Sequence, residues 1–183
     1  MKALIIVASA RKGSSLYIAK QIAESVGEVL QCEIVRLSDY QIGYCSGCLE
    51  CDETHECNIP DDMKTILEKL LGVDVLIMIS PARYSLLSGD AKVFIDRLNP
   101  TAVSGDIEGK KFIAITVGQT DKEEDIDSVN LAAESLVAFA DNAGMETEGK
   151  YCVYNCYGPE DIYKKENQIK DIVKDIVQRL CRE

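Results

Sequence analysis

Four cysteines fall within thirteen residues, as Cys45, Cys48, Cys51 and Cys57. Thiolates suit soft metals, and the spacing C-x2-C-x2-C-x5-C lets one short loop present all four. Gly43 and Gly47 permit the turns that aim thiolates inward. Three cysteines at two-residue gaps followed by a fourth is how a compact loop wraps a cubane whose four irons each need a ligand. Structural zinc more often uses two C-x2-C pairs set farther apart. Four readings fit these residues: an iron–sulfur cluster, a zinc site with His55 replacing one cysteine, a redox-active C-x-x-C pair, and unliganded packed thiols. His55 is the only histidine, and beside Asp52, Glu53 and Glu56 it also reads as a solvated loop residue. A second histidine is missing, which weighs against His-dependent nucleophile mechanisms.

A second group of polar residues lies in "SARKGSS", residues 9–15. Ser9, Ser14 and Ser15 offer hydroxyls, Gly13 allows a tight turn, and Arg11 adds positive charge. If a helix starts at Ser14, its free N–H groups and its dipole favour an anion, and a phosphate monoester is the natural guest. A helix start capped by serine, with nothing bound, explains the same letters. The Walker A pattern and the G-x-G-x-x-G fingerprint are both missing here, so a nucleoside-triphosphate loop and a Rossmann dinucleotide site are not supported.

Both groups need a scaffold. Lys2–Ala8 is a continuous apolar run, the mark of a strand covered on both faces. The preceding Met-Lys and the Ala8-Ser9-Ala10 triplet resemble a signal peptide, but the apolar run is short and a buried strand is the better expectation. From Ser14, Leu16, Ala19, Ile22, Ala23, Val26 and Leu30 share one helical face. Cys32–Leu37 reads as a strand. Asp61–Leu71 reads as a helix with acids in its first turn, complementing the dipole. Val73–Ser80 is a buried strand, and Ser88 caps a helix running through Leu98. Lys111–Val117 is a fourth strand. Val129, Ala132, Ala133, Leu136, Val137 and Ala140 mark a helix that Gly144 ends. Met145–Tyr154 contains a fifth strand, and a last amphipathic helix carries Ile162, Ile169, Ile172, Val173, Ile176 and Leu180.

Apolar strands alternating with amphipathic helices predict an α/β three-layer sandwich around a five-stranded parallel sheet. The flavodoxin-like order 2-1-3-4-5 fits, in a single domain over 1–183 with a cysteine-rich loop at 44–60. Ligands of such sheets sit beyond the carboxyl ends of the strands. Three loops are expected there: "SARKGSS", "SPARYSLLSG" and "GQTDKEED". Pro81 stiffens the exit from the third strand, Tyr84 offers an aromatic face, and Arg83 a planar cation. Gly118 and Gln119 could meet ring carbonyls through a backbone N–H and a side-chain amide. Asp96 and Arg97 read as a structural ion pair or an interface contact.

Composition narrows the classes. With 183 residues, 46% apolar and 28% charged, the chain can bury a full core without disulfide staples. Clustering of half of its eight cysteines favours a metal over a disulfide framework, and hence a reducing, cytoplasmic setting. Cys32, Cys152, Cys156 and Cys181 default to apolar packing. A net charge of −11 disfavours nucleic acid and anionic membrane as partners. No apolar run reaches the roughly 20 residues that a membrane helix needs.

The residues "SARKGSS" and "SPARYSLLSGDAKVFIDR" resemble the NADPH-dependent FMN reductase family of flavodoxin-like proteins. The resemblance covers most of residues 1–100. It implies that Ser9, Arg11, Gly13, Ser14 and Ser15 bind the phosphate of FMN. It further implies that Pro81, Ala82, Arg83, Tyr84 and Ser85, with Gly118 and Gln119, flank the isoalloxazine. Ala10 replaces the family's usual Pro, the first loop is shorter, and Arg83 stands where many members have Tyr. The iron–sulfur flavoprotein branch carries the compact four-cysteine motif at the same place, which implies a [4Fe–4S] cluster on Cys45, Cys48, Cys51 and Cys57. By the same resemblance the protein is an FMN-dependent oxidoreductase, a homodimer or homotetramer whose cluster loop approaches a neighbour's flavin. NAD(P)H as donor and a ferredoxin-like partner are compatible with it. Cluster-free FMN or quinone reduction and a flavodoxin-like carrier role are the alternatives. Glu50, Asp52, Glu53 and Glu56, with no Lys or Arg among them, are expected to lower the cluster's potential. No general acid or base is nominated at the flavin.

Overall fold

A strand without a wet face should be apolar throughout, and β1 (Lys2–Val7) is buried from Ala3 to Val7. The computed structural model describes residues 1–26 and 30–181, without the side chains of residues 124–126. β1 pairs in parallel with β2 (Gln31–Arg36) on one side and β3 (Val75–Pro81) on the other. β4 (Lys111–Val117) and β5 (Glu146–Val153) extend the sheet, giving the order β2-β1-β3-β4-β5, all parallel, as expected.

Alternation along the strands divides the core in two. Ala3, Ile5 and Val7 face α1 (Ser14–Val26) and α7 (Glu166–Leu180). Leu4 and Ile6 face the other layer, made by α3 (Met63–Leu71), α4 (Gly89–Asp96) and α6 (Lys122–Asn142). On α1 the deepest residues are Ile18, Ala19, Ile22 and Val26, while Leu16 and Ala23 are only half-buried. The predicted stripe is therefore rotated toward Ile18.

Three boundaries differ from expectation for local reasons. The helix after the cysteines begins at Met63, not Asp61, because Asp61 and Asp62 turn their carboxylates back onto the preceding chain. The helix capped by Ser88 stops at Asp96, and a corner at Arg97 and Leu98 leads into α5 (Asn99–Ser104), whose second residue is Pro100. Ile162 belongs to a 3-10 turn, Asp161–Lys165, that precedes α7. The predicted loop "GQTDKEED" is shortened, since α6 starts at Lys122; the side chains of Glu124 and Asp125 lie outside the described residues. No helix among the described residues is long and apolar enough to cross a membrane.

Candidate functional site

The carboxyl edge of the sheet is tied together by two buried serines. Ser88 Oγ donates to the Ala8 carbonyl (2.7 Å) and accepts from Ala91 N–H (3.2 Å), while its own N–H donates to Ser80 Oγ (3.1 Å). The ends of β1 and β3 and the start of α4 are thereby fixed to one another. Arg36 Nη2 donates to the Ala10 carbonyl (3.1 Å), anchoring the first loop from the side of β2.

Within that frame one cavity is lined by Ser9, Arg11, Ser14, Ser15, Pro81, Ala82, Arg83, Val117, Gln119 and Cys156. Ten residues from four separate loops thus meet at one place, eight of them among the predicted binding residues. Ser14 and Ser15 begin α1 and are 5% and 4% exposed. Ser14 Oγ is buried and has no partner at hydrogen-bond distance, its neighbour in the cavity being the weakly polar Cys156 thiol. A buried hydroxyl without a partner is costly, so a ligand oxygen at this helix N-terminus would meet a waiting donor. Arg11 Nη1 donates to the Tyr157 carbonyl (3.2 Å), closing the cavity with the chain after β5. A Cβ on Gly13 would come within 3.3 Å of Pro159, which explains the glycine there.

Three predicted residues take other parts. Gly118 donates its N–H to the Val153 carbonyl (2.8 Å) and accepts at its own carbonyl from Cys156 N–H (2.9 Å), so that N–H is not offered to a ring. A Cβ on Gly118 would lie 2.2 Å from Val129 Cγ2; the glycine lets α6 pack against the end of β4. Tyr84 and Ser85 form the tip of a turn in which Arg83 and Leu86 exchange both backbone hydrogen bonds. Both tip residues have positive φ, 49° and 64°, and Tyr84 is 98% exposed. Neither lines the cavity. Such backbone costs on the order of 1–3 kcal/mol per residue.

Cys156, expected only to pack in the core, also lines the cavity, because the loop after β5 reaches the same edge of the sheet. Burial pushes the Cys156 thiol up from its ordinary value, while the Ser14 hydroxyl and the Lys165 and Arg11 cations pull the other way. Among the other scattered cysteines, burial pushes Cys32 up to about 11, whereas Cys181 is exposed and packs no core.

The cysteine loop is built differently. Its neck is closed by carboxylates: Asp62 Oδ2 accepts from Gln41 N–H and Asp61 Oδ2 from Gly43 N–H, both at 2.7 Å. Asp61 also pairs with Arg97, Oδ2 to Nη1 at 2.6 Å and Oδ1 to Nη2 at 3.0 Å. Burial pushes the Asp61 carboxyl up, but Arg97 and the N–H groups of Gly43 and Met63 outweigh it and hold it below its usual value. Asp96 instead pairs with Lys92, so the expected Asp96–Arg97 pair does not form. Inside the loop lies a short helix, α2 (Glu50–Thr54), flanked by Leu49 and His55 with positive φ. His55 terminates α2 and is exposed.

All four cysteines line one concavity, with Arg97, Asn99 and Pro100 on its opposite wall. Among the described residues no three His, Cys, Asp or Glu side chains gather as one metal ion would require. The donor set, four thiols bordering one space, is of the kind that ligates soft, thiolate-bound metal centres.

The fold is that of a flavodoxin-like α/β protein, with a serine-lined cavity at the head of α1. The chain belongs to the NADPH-dependent FMN reductase family, whose model matches residues 1–145. It is 29% identical over 120 residues to an iron–sulfur flavoprotein of Methanocaldococcus jannaschii, covering 64% of this chain and 62% of that protein. It is 35% identical over 98 residues to an iron–sulfur flavoprotein of Archaeoglobus fulgidus, covering 53% of this chain and 48% of that one. The matches thus span about half to three-fifths of these relatives. Among solved structures, an NAD(P)H:quinone oxidoreductase from Methanothermobacter marburgensis superimposes with a TM-score of 0.76 at 17% identity, covering 100% of this chain and 98% of that one. That likeness concerns the fold.

Proposed function

We propose that this chain is an FMN-dependent oxidoreductase of iron–sulfur flavoprotein type, acting as one domain over its whole length. The observation that carries the flavin site is the buried, unpartnered Ser14 hydroxyl at the head of a thirteen-residue helix. Ser9, Ser14, Ser15 and Arg11 hold the phosphate, with Gly13 permitting close approach. Pro81, Ala82, Arg83 and Gln119 border the ring, while Tyr84 and Ser85 shape the rim from outside the cavity. Cys45, Cys48, Cys51 and Cys57 hold a [4Fe–4S] cluster. When bound, FMN supplies two-electron chemistry and the cluster one-electron chemistry, so the pair converts between the two.

The two sites lie at opposite ends of α4. Ser88 caps it at the cavity edge, and Arg97 and Asn99 follow its other end at the cysteine loop. Eight helical residues span about 12 Å. Transfer between chains, in a homodimer or homotetramer whose cysteine loop meets a neighbour's flavin, is the arrangement the family resemblance implies. A monodisperse monomer with full redox activity would contradict it. NAD(P)H or a ferredoxin-like protein as donor, and oxygen, peroxide or a quinone as acceptor, complete the reading, in the cytoplasm.

An anaerobic visible spectrum with iron and sulfide analysis tests it. Flavin bands with broad iron–sulfur absorption are expected, and Cys48→Ala should lose the iron and keep the flavin. Flavin without iron in the anaerobically prepared wild type would favour cluster-free, NAD(P)H-dependent FMN or quinone reduction.

A further inference from the structure

The α4–α5 corner directs N–H donors at the cysteine loop. Asn99 Nδ2 lies 3.0 Å from Cys51 Sγ and 3.2 Å from Asp52 Oδ1. The Arg97 side chain is 1% exposed. Its Nη1 donates to the Gly43 carbonyl and to Asp61, and its Nη2 to Asp61. Its Nε–H, however, is buried with no partner. Cys57 lines the same concavity as Arg97. A neutral thiol is a weak acceptor, whereas a thiolate is a strong one. A buried N–H left without an acceptor costs about 1–3 kcal/mol, so an anionic sulfur beside Arg97 would relieve that cost.

We propose that Asn99 and Arg97 are the N–H donors to the sulfurs of Cys51 and Cys57, and that they raise the redox potential of the group those sulfurs hold. The inference rests on the reading that this loop carries an iron–sulfur cluster. Hydrogen bonds to ligand sulfur stabilise the extra negative charge of the reduced state. They therefore oppose Glu50, Asp52, Glu53 and Glu56, which read alone predict only a lowered potential. Asn99 is a positioning residue in this arrangement; its amide bridges Cys51 and Asp52 and fixes the thiol's direction. Arg97 is charge-paired with Asp61 at Nη1 and Nη2, and its Nε–H is the donor left over for sulfur.

The test is a redox titration of the cluster in anaerobically prepared protein that retains its FMN. Asn99→Leu removes both amide donors and should move the cluster couple to more negative potential while the flavin couple stays in place. Asn99→Gln keeps an amide and should return part of the shift. Loss of iron from Asn99→Leu, with FMN and melting temperature kept, also supports the donor role. An unmoved cluster couple in Asn99→Leu overturns the inference and leaves the cluster reading intact. Wild-type protein that binds FMN but takes up no iron or sulfide overturns both.

Discussion

On the proposed reading, the two ends of α4 each hold polar groups for a ligand, and they are built in different ways. At the cavity end the donors belong to regular structure. Ser14 and Ser15 open a helix whose buried face, continued by Ile18, Ala19 and Ile22, packs in the core beside β1, and the loop before them is fixed by Arg36. At the cysteine end the thiols sit on a loop with one five-residue helix, and the loop is tied down by Asp61, Asp62 and the α4–α5 corner. The first site is preorganised by the fold, so the ordering cost is met before a ligand arrives. The second is braced at its neck and at one wall, so filling it should couple to loop ordering.

The sharpest way to break this contrast is to cut the brace. Asp61→Ala leaves Arg97 buried without its counter-charge, which should cost about 3–5 kcal/mol in urea unfolding. Iron content should fall while FMN affinity stays near wild type. The pair also carries a pH signature. The folded Asp61 carboxyl lies below its unfolded value, so its contribution is full above about pH 4 and is lost as the pH falls through the folded value. Asp61→Asn should lack that acid-side loss, as read by unfolding midpoints between neutral and acid pH.

The converse experiment spoils the cavity. Ser14→Val should weaken FMN by about 1.5–3 kcal/mol, roughly tenfold to a hundredfold in Kd, with iron content unchanged. Equal loss of both cofactors from either variant would mean that the two ends are not independent. Gly118→Ala sharpens the assignment of the cavity floor. The added methyl meets Val129, so stability should drop by about 1–3 kcal/mol, with any loss of flavin affinity following from displaced α6. The smallest effect is expected at the tie between strands and helix: Ser88→Ala removes one helix cap, about 0.5–2 kcal/mol in thermal or urea unfolding.

The strands and the helix faces were legible because burial on both sides of a parallel sheet leaves an unmistakable apolar run, as in residues 3–7. The serine-lined cavity was legible for a similar reason: Ser14, Ser15 and Gly13 are adjacent in sequence, and a strand-to-helix turn places them at the sheet edge. The four cysteines were visible as a spacing.

What the letters could not give was the company these groups keep. Arg97 looked like the partner of its neighbour Asp96, yet it reaches Asp61 thirty-six positions away, because α4, which precedes Arg97, and α3, which follows Asp61, pack on the same face of the sheet. Asn99 carries no signal of its own until the corner after α4 brings it to Cys51. Cys156 joins the cavity only because β5 ends beside β4. Local pattern determines elements and the residues consecutive within them, since it reports on solvent and backbone preference. Contacts between distant segments depend on where those elements come to rest, and only the tertiary structure decides that.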